Sequence, residues 1–346
     1  MTPLNNHPAS LEKKSVEEIQ RKPGNGLAWL KEQLRTALRA TPVNALLEQR
    51  SMRRWYDYKY QSLQSIEQAI ASIQSRWNIE IDDDKEEPIF IFASGWRSGS
   101  TLLQRLVNSD NRIMLWGEPF PDSNLVQTMA NSLKPFQTNY PPDSNFLQSD
   151  NFTMDSSPLW KRWTANLYPS FECLHQSHRA FFETLYAAPA REQNCSRWGF
   201  KEVRLGIEHA IYLKWLFPKA KFLFLYRNPY HAYRSCYDWR NLYWQWPDEG
   251  VFSPTIFGQY WVTQVTGFLT DYQKVDGHLI KYEELCNEDD AVAKLSSYLE
   301  ADIDPTILKS RIGSSKNKKS PPIHSVKQLE KIVAPLAESL GYQRDG

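Results

Sequence analysis

The chain carries 346 residues with 41 basic and 40 acidic side chains, a net charge of +1. That balance excludes a nucleic-acid duplex or an anionic membrane as the main partner, so no nucleic acid is expected and cations must act locally. Four cysteines (Cys173, Cys195, Cys236, Cys286) without CxxC spacing exclude a zinc site or a disulfide scaffold; no run of about 18 apolar residues offers a membrane span, and no signal-peptide run opens the chain, so a cytoplasmic protein is expected.

Residues 1–85 read as an N-terminal arm and helical extension, and 86–346 as an α/β domain. The opening stretch to about residue 24 is polar and contains proline. Leu27, Leu30, Leu34 and Leu38, then Ile66, Ile70 and Ile73, recur at helical steps, with Pro42 between the two runs. The cluster Arg53, Arg54, Trp55, Tyr56, Tyr58 and Tyr60 reads as a docking surface for the appendage or for a second copy. A homo-oligomer through the N-terminal helices is the expectation it raises.

The domain opens on an apolar strand, Ile89–Phe92, which breaks into Ser-Gly-Trp-Arg-Ser-Gly-Ser-Thr (94–101) and restarts as a helix. Gly95 and Gly99 let the backbone approach a ligand closely, and Ser98, Ser100 and Thr101 add hydroxyl and N–H donors. The new helix points its positive end at an anion held there. No lysine occurs from Glu86 through Leu133, so the GxxxxGK[ST] pattern of nucleoside-triphosphate loops fails and Arg97 is the local cation. The competing reading is a plain Gly/Ser turn.

A second strand, Arg112–Trp116, ends in Gly117-Glu118-Pro119. Residues 120–197 are rich in Pro, Asn, Ser and Trp and only weakly periodic until Phe181, which predicts loops and short helices over one face. His175 and His178 fit a surface helix with two satisfied imidazoles better than a metal pair. The tryptophans, among them Trp160, Trp163, Trp239, Trp244 and Trp246, serve core and lid packing or an aromatic acceptor pocket. Order returns at Arg197–Arg204, followed by a helical run (Ile207, Ile211, Leu213, Leu216) that Pro218 stops.

Lys221–Tyr226 is a continuous apolar run, as expected of a parallel strand covered on both faces. Directly after it comes Arg227-Asn-Pro-Tyr-His-Ala-Tyr-Arg-Ser235, where Pro229 suits a first helical turn and Ser235 lies two turns beyond Arg227. A guanidinium and a hydroxyl so placed can clamp one phosphate. A further strand, His278–Tyr282, precedes a helix near 289–299. The basic loop 314–320 follows, and then a last helix that opens with Ser325 and Gln328 in capping-box spacing and ends before Gly341. Strands alternating with helices predict a P-loop-like, doubly wound parallel sheet flanked by helices.

Two anion motifs in this order, each directly after an apolar strand, give the chain a specific likeness. It resembles the sulfotransferases that use 3′-phosphoadenosine-5′-phosphosulfate (PAPS) and release 3′-phosphoadenosine-5′-phosphate (PAP). The likeness runs through Lys201, Leu216-Phe-Pro-Lys219 and Lys281-Tyr-Glu-Glu-Leu285, over roughly residues 88 to 330. It implies that Gly95, Arg97, Ser98, Gly99, Ser100 and Thr101 bind the 5′-phosphosulfate and that Arg227 and Ser235 bind the 3′-phosphate. Tyr282 would lie near the nucleotide, and Ser314, Ser315 and Lys318 would close over it.

In the cytosolic branch a histidine base follows the strand lysine by two residues. Here Lys201 is present but Val203 takes the histidine position, so the resemblance shifts to the branches that use a glutamate from the end of the second strand, with Gly117-Glu118-Pro119 in that place. Glu202 and His231 stand as rival bases. The implied reaction is metal-independent in-line displacement: Glu118 takes the acceptor's proton, while Lys201 and Arg97 stabilise charge on the transferring group. The acceptor is expected to be a small molecule such as a natural product, a sugar or a glycolipid precursor. A P-loop phosphoryl transferase and a non-catalytic nucleotide-binding relative are the alternatives.

Overall fold

The computed structural model of the chain describes residues 63–77, 79, 86–120, 123–147, 158–161, 164–237, 251, 253–287, 290–309 and 320–344, all but residue 63 within a compact unit that runs from Gln64 to Gly346. The leucine run before Pro42, the Arg53–Tyr60 cluster, Trp163, Trp239, Trp244, Trp246, Ser314, Ser315 and Lys318 lie outside the described residues.

Five strands build one parallel sheet: β1 (Ile89–Ala93), β2 (Ile113–Trp116), β3 (Arg197–Glu202), β4 (Lys221–Tyr226) and β5 (His278–Lys281), in the order β2-β3-β1-β4-β5. The side-chain alternation of β1 and β4 explains the layering. Phe90, Phe92, Phe222 and Phe224 point to one face, where Phe90 meets Phe200 at 4.7 Å and Phe222 at 5.5 Å between ring centroids. Ile89, Ile91, Ala93, Leu223 and Leu225 point to the other. Both faces are covered, so both parities are apolar.

Helices α1 (Ile66–Arg76), α2 (Ser100–Val107), α3 (Leu125–Asn131), α4 (Phe171–Phe182), α5 (Ala188–Glu192), α6 (Ile207–Leu216), α7 (Pro229–Tyr237), α8 (Pro254–Asp271), α9 (Tyr282–Asn287), α10 (Ala291–Leu299) and α11 (Ile323–Ser339) complete the unit. α2 and α10 cover the aliphatic face, and α1, α4 and α6 the aromatic one. α1 carries a full capping box, Ser65 Oγ accepting from Gln68 N–H and Gln68 Oε1 from Ser65 N–H. It buries Ile66, Ala69, Ile70 and Ile73 in the aromatic-face core, so this helix packs with the α/β unit although the sequence reading grouped it with the N-terminal extension.

Several elements gain detail over the sequence reading. The helix through His175 and His178 begins at Phe171 and is a surface helix, with Glu172, Cys173, Gln176 and Ser177 exposed on its outer side. Both rings face inward, with His175 Nε2 2.9 Å from the Trp215 carbonyl and His178 Nδ1 2.9 Å from the Tyr212 hydroxyl. After Phe182 the same rod widens into a π-turn, Glu183–Ala187, just ahead of Pro189, which has no N–H to give to the preceding turn. The last helix starts at Ile323 with Pro322 as its cap, so Ser325 sits buried in its first turn and caps nothing. Among the described tryptophans Trp198 and Trp261 are core, while Trp160 is exposed.

Candidate active site

The carboxyl ends of β1, β3 and β4 adjoin, and each delivers one part of the site. At the end of β1 the backbone turns through three left-handed residues, Gly95 (φ 124°), Arg97 (φ 63°) and Gly99 (φ 98°). Such a path stores strain unless the surroundings hold it, and here they do. Ser98 Oγ donates to the Gly95 carbonyl at 2.6 Å, and the Gly99 carbonyl accepts from Leu102 and Leu103 N–H at 2.9 and 3.1 Å, starting α2. The Ser98 hydroxyl, expected to face an anion, is thus committed to the loop itself. The N–H groups of Ser98, Gly99, Ser100 and Thr101 donate to no acceptor among the described residues and converge at the helix start.

The two basic motifs are joined directly. Arg97 Nε donates to Ser235 Oγ at 2.9 Å, while Arg227 Nη1 donates to the Arg97 carbonyl at 2.8 Å. Tyr282 closes the cluster: its ring stands 4.3 Å from the Arg227 guanidinium and so close over Gly99 that a Cβ there would come within 2.2 Å of it. Arg227 Nε is buried without an acceptor among the described residues. Cys236 lies beneath, its Sγ 3.6 Å from the Trp96 carbonyl and its thiol pushed up to about 12 by burial, so it is a packing residue rather than a nucleophile.

Lys201, at the end of β3, is nine-tenths buried, and its Nζ is ion-paired with Glu118 Oε1. Three hydrogen bonds hold the end of β2, just ahead of Glu118. Gln104, one turn into α2, donates to the Leu115 and Trp116 carbonyls, both at 3.0 Å, and Trp116 Nε1 donates to the Tyr186 carbonyl at 3.1 Å inside the π-turn. The helix that opens at the anion loop therefore also holds the strand that presents the carboxylate. Glu202, the rival base, is a buried partner of Arg204, whose Nε donates to Glu202 Oε1 at 2.6 Å, and burial pushes its pKa up. That pair was not legible in the sequence, where Arg204 only ended the ordered stretch from Arg197.

The structure thus gathers Gly95, Arg97, Ser98, Gly99, Ser100, Thr101, Arg227, Ser235 and Tyr282 into one cluster, and brings Lys201 to Glu118. An apolar cavity of about 330 Å³, walled by Phe136, Phe146, Tyr168, Phe171, Cys173 and Leu174 among others, contains no tryptophan and none of these site residues. Among the described residues no group of histidine, cysteine and carboxylate side chains could hold a metal, and no helix is long and apolar enough to cross a membrane.

Residues 88–305 match the model of the sulfotransferase family, well over half the chain, and the protein belongs to that family. No curated protein matches the sequence. Among solved structures, the sulfotransferase domain from the curacin biosynthetic pathway is 16% identical over 75% of this chain and 99% of that one, with a TM-score of 0.42. The sulfotransferase domain from the Synechococcus PCC 7002 olefin synthase is 18% identical over 77% and 98%, with a TM-score of 0.41. STF9 from Mycobacterium avium is 15% identical over 81% and 83%, with a TM-score of 0.38.

Proposed function

We propose that the protein transfers a sulfuryl group from PAPS to a hydroxyl or amine of a small-molecule acceptor. The observation that carries this reading is the join between the motifs: Arg227 on the Arg97 carbonyl and Arg97 on Ser235, with the Lys201–Glu118 pair at the neighbouring strand ends. The donor set fits PAPS in its chemistry. It consists of guanidinium groups, an ammonium and a helix-start nest of N–H groups, which suit the phosphates and sulfate of that molecule.

When bound, PAPS supplies an electrophilic sulfur and a phosphate leaving group. The residues of the chain do the rest. Glu118 accepts the proton of the acceptor's heteroatom as that atom attacks in line. Lys201 has three N–H donors and commits one to Glu118, leaving others for oxygens of the group in transfer. Arg97 and the N–H groups of Ser98–Thr101 stabilise charge on the departing 5′-phosphate, while Arg227 and Ser235 hold the 3′-phosphate. Ser314, Ser315 and Lys318 are proposed to contribute from the following loop. Sulfuryl carries less charge than phosphoryl in transfer, so fixed cations suffice without metal.

Calorimetry with PAP and with ATP, each with and without Mg²⁺, tests the donor. PAP binding that is indifferent to EDTA is the expected result, and magnesium-dependent ATP binding without PAP binding would replace this reading with phosphoryl transfer. Mass spectrometry of hydroxylated and amine metabolites incubated with PAPS tests the reaction: a gain of SO₃ is expected, and PAP binding with no transfer to any acceptor would mean a binding protein.

A further inference from the structure

The start of α9 and the last described residues of the chain meet at the base of the second anion motif. Tyr282 and Glu283 are consecutive and divide the work. Tyr282 lies on Gly99 and against Arg227. Glu283 accepts the Asn228 N–H through Oε1 at 3.0 Å and the Tyr342 hydroxyl through Oε2 at 2.9 Å. Asn228, buried beside Arg227, accepts the N–H groups of Tyr230 and His231 at 2.9 and 3.3 Å and so caps α7, while its Nδ2 donates to the Gln343 carbonyl at 3.4 Å.

The C-terminal residues are themselves held. Lys281 Nζ donates to the Leu340 carbonyl at 3.0 Å and stands 4.9 Å from the Tyr342 ring centroid, and Arg344 pairs with Glu330 of α11 at 3.0 Å. Tyr342 is only 4% exposed, among Tyr230, Tyr233 and the α8–α11 contact where Gly258 admits Leu329 and Ile332. None of these groups is needed for the chemistry proposed above. Glu283 and Gln343 bond Asn228, the residue next to Arg227, and the backbone there sets where the guanidinium points.

We propose that residues 340–344 form a clasp that positions Arg227 and the amino end of α7 for the donor's phosphate, with Glu283 and Tyr342 as positioning residues. The proposal rests on the reading of the cluster as the PAP and PAPS site. Three polar contacts fix the backbone and cap at 227–228: Trp261 Nε1 donating to the Arg227 carbonyl at 3.0 Å, Glu283 taking the Asn228 N–H, and Gln343 taking the Asn228 amide. The carboxylate is the strong member, because it accepts two bonds, one from the motif's Asn228 N–H and one from the Tyr342 hydroxyl, and so links the two. Loss of a bond to a charged group weakens whatever depends on it by about tenfold.

The test uses the full chain, with PAP titrated by calorimetry and steady-state kinetics over PAPS and acceptor. Glu283→Ala should raise the PAP Kd about tenfold and Tyr342→Phe several-fold, while Glu283→Gln, whose amide oxygen still takes the Asn228 N–H, should recover most of the affinity. The KM for PAPS should rise in parallel, and kcat at saturating PAPS should fall far less than it does on loss of Lys201. Should Glu283→Ala fail to fold, Tyr342→Phe, which removes one oxygen from a buried ring, carries the test. Wild-type chain that binds no PAP overturns the reading of the site. Wild-type binding with Tyr342→Phe and Glu283→Ala equally tight overturns the clasp alone, as does a fall in kcat with the KM for PAPS unchanged.

Discussion

Lys201 and Glu118 are 83 residues apart in sequence and in contact in space, which a parallel sheet achieves by placing the ends of β2 and β3 side by side. If the pair acts as proposed, Lys201→Ala and Glu118→Gln should each lower turnover at least a hundredfold, roughly 2.7 to 4 kcal/mol, in a PAPS-dependent transfer assay. PAP affinity should fall much less in Glu118→Gln than in Arg227→Ala. Gly99→Ala tests the cradle itself. Its φ of 98° and the Tyr282 ring 2.2 Å from the added carbon leave no relaxed place for a methyl group, so PAP binding should weaken by about 1–3 kcal/mol in calorimetry. Most of these residues were legible in the sequence because glycine, serine and arginine at a strand-to-helix break carry their chemistry locally. The role of Ser98 was not, since only the fold shows its hydroxyl turned onto Gly95.

Among the elements, β3 is constrained on both edges, because it lies between β1 and β2, and it brings Lys201 to its end. At Gly199 an added Cβ would fall 1.7 Å from the Ile89 carbonyl and 2.8 Å from a Leu115 methyl carbon. Gly199→Ala should therefore cost about 3 kcal/mol or more in urea unfolding, whereas Gly117→Ala, with open space around it, should stay within about 0.5 kcal/mol. The strands themselves were readable from Ile-Phe-Ile-Phe and Lys-Phe-Leu-Phe-Leu-Tyr, which are apolar at both parities. α4 was read only as a helix through His175 and His178, without bounds, because a helix that buries His175 and Phe171 and turns into a π-segment breaks the simple period.

At the scale of the whole molecule, contacts between distant segments decide how the unit responds to acid. Asp110, in the turn between α2 and β2, accepts from Arg112 through both carboxylate oxygens, at 2.9–3.0 and 2.6 Å, and from the Asp302 N–H after α10 at 2.9 Å. Those bonds, led by the Arg112 side chain, hold its carboxyl well below the usual carboxylate range. A depressed carboxylate contributes stability that is complete above its unfolded pKa of about 4 and is lost as pH falls toward the folded value. Asp110→Asn should thus cost about 1–3 kcal/mol at pH 7, with the gap from wild type narrowing below about pH 4, as followed by thermal melts across pH.

From its residues alone the chain specified an α/β sheet, two anion motifs after two of its strands, and the absence of a loop lysine from the first motif. Each of these is a local pattern of side-chain period or backbone freedom, and local patterns survive in a one-dimensional reading. The tertiary structure alone decided that the two motifs bond to each other, that Glu118 meets Lys201, that Glu202 is bound by Arg204, and that Tyr342 reaches Glu283. Those contacts depend on strand order and on helix crossings, which bring together residues that no spacing along the chain relates.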